Sequence, residues 1–445
     1  MKEASKRVSF KHINSLAIPS IIAGISEPLL SIVDTAIVGN ITIGASEALA
    51  AVGIAGSFIA AIVWVLGQTR AAVSAIVAQY VGEKKLASIS SLPAQIIFIN
   101  VALSLLIGIV TVFFAEQIFQ LYNAEGLVLN YAVSYYKIRA VGLPFSLMVF
   151  TIFGVFSGLQ NTFWPMVISV IGAVLNVVFD YGLVYGVFDL IPAMGVEGAA
   201  YASLISQITM AVLSIFLLYK KSKIRLKFYF PWNPELKRLI GLSSNLFLRA
   251  LALHVTLYMA NSFATSYGTE YIAAQTICFQ IWLFFAFFVD GYASVGSIIS
   301  GKQKGEKDFV SLVRLVKDLN KFAIFVAFGL MLICFSVYNY IGFVFTDEKM
   351  ILKVFKAVFW IVLIMQPINA VAFVYDGLFK GLAEAKVLRN TVIAATFLGF
   401  VPTLFICDYF GLKLTGIWIA FSVWMLLRSG ILAVYFKRIF LLKNT

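Results

Sequence analysis

Residues 24–40 read GISEPLLSIVDTAIVGN and close an apolar run that begins near Ile13. At about 1.5 Å per residue, a run of that length can cross a bilayer. Asp34 stands inside it with no basic residue nearby in the sequence. A carboxylate at that depth costs about 2.5 to 3.5 kcal/mol on insertion scales, so something must offset it. Glu27, Ser31 and Asp34 follow at i, i+4 and i+7 and share one helix face. Pro28 weakens the backbone ladder beside them. The stretch reads either as a structural acid bonded to a neighbouring helix or as a titratable group on a pathway through the membrane.

The rest of the chain has the same character. Of 445 residues, 61% are hydrophobic and 12% charged, with a mean hydropathy of +0.95. That composition belongs to an all-α, polytopic membrane protein. The basic N-terminus MKEASKRVSFKH leads straight into a full-length span, so no cleavable signal peptide is expected. Twelve apolar segments stand near 13–39, 49–79, 92–115, 131–156, 163–186, 196–219, 239–263, 271–301, 319–344, 353–379, 388–408 and 413–436. The second and eighth are long enough to predict tilt or extension beyond the bilayer.

The net charge of +13 is that of many nucleic-acid-binding proteins, but its distribution excludes nucleic acid as a partner. Lysine and arginine cluster in the N-terminus, in alternate short loops such as Lys84–Lys85 and Lys302–Lys307, and in the tail. The intervening 1–2, 3–4, 5–6 and 7–8 loops offer Glu47, Glu116, Glu125, Asp189 and Glu270 and no base. This bias puts both termini in the cytoplasm of a plasma (inner) membrane. Cys278, Cys334 and Cys407 lie in apolar stretches without paired spacing, and His254 is the only membrane histidine, so neither a disulfide framework nor a metal site is indicated. No HExxH, GxSxG or phosphate-binding loop is present, which argues against an intramembrane enzyme and an ATP-driven pump.

The chain also repeats. A shift of 223 residues places Glu47–Leu86 on Glu270–Phe309 without a gap, with Gly82-Glu83-Lys84 on Gly305-Glu306-Lys307. The same shift puts Pro144, Gly154 and Gly158 on Pro367, Gly377 and Gly381. The expected organisation is an N-terminal lobe at 1–219, a basic linker at 220–238 and a C-terminal lobe at 239–445. With six spans each, the lobes share an orientation and are expected to be related by a pseudo-two-fold axis along the membrane normal.

The halves differ where it matters chemically. Asp34 falls on Leu257, Asn176 on Gly399 and Asp180 on Thr403. Asn176 and Asp180 are i, i+4 on one helix face, and Asp34 and Asp180 lie at similar depth in spans that run the same way. Two poorly solvated carboxylates repel when both are ionised, so at least one pKa is expected to rise, as a proton carrier requires. The same oxygens suit Na+ as the alternative coupling ion. Glu27, Ser31, Tyr135 and Tyr136 are accessory candidates, as are Arg249 and Asp290, which stand near the midplane and are expected to pair. Arg428 is a rival partner for Asp290, and Asp376 with Lys380 is expected to form a local i, i+4 ion pair.

The segments P19–x8–P28–x5–DTAIVGN, NVVFDYG (176–182), GVEGAAYA (195–202), FLRALALH (247–254) and VDGYA (289–293) resemble those of the MATE family of multidrug and toxic-compound extruders, within its DinF-like branch. The turn GLQNTFWP (158–165) departs from the glycine-rich pattern usual there. The resemblance implies twelve helices in two lobes, a coupling site at Asp34, Asn176 and Asp180, and efflux of cationic or amphipathic small molecules by proton or sodium antiport. It implies no cofactor beyond the coupling ion, membrane lipid as surroundings, and a monomer. The rival reading is a flippase for lipid-linked precursors, which would need several central arginines to neutralise a diphosphate.

Overall fold

The computed structural model describes residues 8–41, 44–187, 192–222 and 224–441, side chains of 27–32 and 441 excepted. Asp189, Lys223 and the side chains of Glu27 and Ser31 therefore lie outside it. The described residues are helical, with no strand among them.

Among the described residues, twelve apolar helices follow in order. They are α1 (Phe10–Val38), α2 (Ala45–Gly82), α3 (Leu92–Phe113), α4 (Gly126–Ala140 with Leu143–Gly158), α5 (Phe163–Tyr185) and α6 (Gly195–Lys221). The second six are α7 (Glu235–Ser266), α8 (Thr269–Glu306), α9 (Phe309–Ser336), α10 (Lys349–Ile364 with Gln366–Gly381), α11 (Ala385–Tyr409) and α12 (Lys413–Phe436). The chain divides into two compact units, Ile22–Ile240 and Gly241 onward, the latter joined by the start of α1 up to Ile21. In that second unit Tyr292 donates to Asn14 Oδ1 at 3.2 Å and Ser20 meets Ser294 at 3.4 Å.

Two details depart from the sequence expectation. The ninth span starts ten residues before the apolar window 319–344 and ends eight before it. Asp308 caps its first turn by accepting from the Ser311 N–H at 3.0 Å. Its buried stripe of Leu312, Leu315, Val316, Leu319, Ala323 and Ala327 is interleaved with Arg314, Lys317 and Lys321. A hydropathy window penalises those charges, whereas an amphipathic helix only needs one apolar face. The fourth and tenth spans are bent, by 47° and 50°. In each, a proline (Pro144, Pro367) sits in the first turn of the second segment, where it removes a backbone donor and cannot continue the ladder from the preceding segment.

The internal repeat has a packing cause. Gly154 and Gly158 on α4 lie against the Arg70 and Ser74 carbonyls of α2, and a Cβ at either would collide. Gly377 and Gly381 on α10 lie in the same way against the Ala293 and Ser297 carbonyls of α8. All four pairs keep the 223-residue offset. Membrane helices gain little from the hydrophobic effect against each other, so close backbone approach through small residues supplies the contact. Around these crossings, the first unit buries Ala48, Ala51, Val52 and Ala55 of α2 against Phe119 and Tyr136. The second buries larger groups, among them Phe355, Phe359, Phe400, Trp418 and Trp424.

Candidate ion-coupling site

Helix α5 buries Pro165, Ile168, Gly172, Asn176, Asp180 and Val184. From Ile168 on, a single i, i+4 ridge carries the polar pair inward along with its apolar members. Asn176 Nδ2 donates to Asp180 Oδ2 at 3.0 Å. Asp180 is fully buried and Asn176 and Asp34 nearly so. The carboxyl of Asp180 also lies close to that of Asp34 on α1. Oδ1 of each acid has no hydrogen-bond partner among the described residues. The three residues picked out by the repeat are thus brought together in one unit.

Tyr135 joins them. It is 3% exposed and lies near both acids and Ser203 of α6. Tyr136 points elsewhere: it meets the Thr111 hydroxyl and packs its ring on Phe58 and Phe119 at 5.3 and 5.5 Å. One member was missed by sequence reasoning. Arg139, at the bend of α4, holds its guanidinium 5.9 Å from the Tyr135 ring and acts electrostatically on Asp180. The signal was present: a base four residues after Tyr135 inside an apolar span.

In the second unit the expected Arg249–Asp290 pair does not form. Arg249 and Arg428 both donate to Oδ2 of Asp376, and all three residues are buried. Asp290 is exposed. Lys380 lies near enough to feel Asp290, Asp376 and both arginines, yet no Lys380–Asp376 ion pair forms among the described residues, so the local i, i+4 pair is also replaced. Arg428 stacks over Trp424 at 4.6 Å, and Trp424 Nε1 donates to Thr396 at 3.1 Å. Sequence position gives the height of a charge along a span but not its direction around the helix axis. Two acids and three bases on neighbouring spans therefore left several pairings open.

The MatE family model matches residues 19–182 and 248–405, which covers most of both halves. DNA damage-inducible protein F of Escherichia coli (strain K12) is 26% identical over 95% of this chain and 91% of its own length. Multidrug export protein MepA of Staphylococcus saprophyticus is 26% identical over 74% of this chain and 71% of its own length. Among solved structures, a MATE protein in a bent conformation superposes with a TM-score of 0.89 at 20% identity, covering 98% of this chain and 96% of that one. At that identity the likeness speaks for the fold. Together with the family match across both repeats, it makes this chain a multi-pass membrane transporter that belongs to the MatE family.

Proposed function

We infer that the protein is a secondary active exporter. It moves cationic or amphipathic organic compounds out of the cytoplasm by alternating access, driven by inward flow of protons or Na+. The observation that carries this reading is the Asp34–Asp180 carboxyl pair with Asn176 beside it, buried in the first unit. An ion can drive transport only if its affinity differs between the two facing states. A buried carboxyl pair meets that condition, because opening or closing a water path to it changes the solvation of its charged forms. The membrane potential supplies about 2.3 kcal/mol per charge per 100 mV, which suits one or two ions per cycle.

The alternation of basic and base-poor loops supports cytoplasmic termini, in a plasma (inner) membrane. The lipid-linked flippase is less well supported. Its diphosphate needs free arginines, whereas Arg249 and Arg428 are both engaged by Asp376. The test is efflux of a cationic dye from everted vesicles under separately imposed proton and sodium gradients. Dye movement tracking one gradient names the coupling ion. Dye movement with neither gradient, at the rate of protein-free vesicles, would sink the antiport reading.

A further inference from the structure

The segment between α6 and α7 is pinned by its backbone, with its large side chains turned outward. The side-chain amide of Gln95, fully buried on α3, donates to the Tyr229 carbonyl at 2.9 Å and accepts from the Asn233 N–H at 2.9 Å. Asn233 Nδ2 donates to the Ser88 carbonyl at 3.0 Å. Phe228, Phe230 and Trp232 are left 46%, 67% and 44% exposed. Their rings pack edge to face on one another, with centroids 5.2 to 6.1 Å apart.

Phe228 also packs on Phe98 at 5.4 Å. Phe98 is itself exposed on α3, six residues inside the end of a membrane span, or roughly 9 Å along it. The outward rings are therefore level with the edge of the hydrocarbon layer, where amphipathic aromatic groups are most stable. Arg225, Lys227 and Lys237 are exposed around them, and the nearby acid Glu235 is engaged by Arg238 at 3.0 Å. Beside Trp232 a recess of about 480 Å³ is walled by Pro234, Leu236 and Ile240, with Lys237 at its lining. An apolar recess edged by an ammonium group matches a lipid acyl chain below a phosphate.

We propose that residues 225–240 form a binding site for anionic phospholipid, the rings seating in the interface and Arg225, Lys227 and Lys237 engaging the headgroup phosphate. This needs only that α3, α6 and α7 span the membrane, and not the transport reading. A juxtamembrane base near an anionic surface contributes about fivefold in partitioning.

The test uses the full chain in liposomes and isolates the Trp232 emission by subtracting the signal of W232F. Lipids brominated near the headgroup end of the acyl chains quench tryptophans that sit at that depth. Brominated phosphatidylglycerol should quench Trp232 more strongly than brominated phosphatidylcholine at equal mole fraction. Lys227→Gln and Lys237→Gln should each lower that preference about fivefold, and added salt should lower it further. The double variant F228S/F230S should lower quenching by both lipids with an unchanged circular dichroism spectrum. Quenching by neither lipid would put the segment in water and overturn the proposal. Equal quenching by both, unmoved by the lysine variants, would overturn the anionic site.

Discussion

Asp180 on α5 and Asp376 on α10 are both buried carboxyl groups on membrane spans, one in each unit, and their neighbours differ in kind. Asp376 accepts from two guanidinium groups. Asp180 accepts from an uncharged amide and meets a second carboxyl. An acid held between two arginines keeps its charge, because protonating it would strand two buried cations. An acid held by an amide and another acid can exchange its proton or cation while keeping its hydrogen bonds. The repeat sharpens the contrast. At the positions of Asp34, Asn176 and Asp180 the second unit carries Leu257, Gly399 and Thr403. Leu257 packs on the apolar core, and Gly399 sits in a π-helical turn, Thr396–Phe400. The same packing scaffold therefore holds two acids beside an amide in one unit and an acid clamped by two arginines in the other.

That difference has measurable consequences. Asp34→Asn and Asp180→Asn keep size and most hydrogen bonding but cannot exchange a proton. Each should abolish gradient-driven efflux while leaving the protein folded, with thermal stability in detergent close to wild type. Wild-type efflux with unchanged pH and sodium dependence in Asp34→Asn would move the coupling site elsewhere. Asp376→Asn should do the reverse, costing about 3 to 5 kcal/mol of stability by leaving Arg249 and Arg428 without a counter-charge. Its readout is the monodisperse fraction on size-exclusion chromatography. Replacing Arg249, Asp376 and Arg428 together by Met, Leu and Met should recover much of that loss, and failure to recover would mean that the triad does more than balance charge.

Packing should respond alike in both units. Gly154→Ala and Gly377→Ala each force a methyl group onto a facing carbonyl and should cost about 1 to 3 kcal/mol. A cost at only one of the two would show that the shared crossings are not equivalent. Asp290→Asn is the mildest change. Its side chain is exposed and outside the arginine clamp, so stability should move by no more than about 0.5 kcal/mol. A loss as large as that of Asp376→Asn would restore Asp290 as a partner of Arg249.

Hydropathy, helical period and the repeat were sufficient for the class, for twelve helices and for Asp34, Asn176 and Asp180 as one group. Each of those properties is linear: span length follows from bilayer thickness, a helix face follows from residue spacing, and depth follows from distance to the end of a span. The bends at Pro144 and Pro367 were visible as prolines, though their angles were not. Which base meets which acid was not linear. Arg249, Asp290, Asp376, Lys380 and Arg428 are spread over four helices, and only the rotation of each helix about its own axis puts Asp376 between two arginines and turns Asp290 away. Arg139 was hidden for the same reason, because its approach to Tyr135 and Asp180 depends on the bend of α4 and on how α4 and α5 pack. Local periodicity carries the former kind of information because it comes from backbone geometry. Pairing came only with the folded units, because side chains distant in sequence choose partners according to which faces the packing brings together.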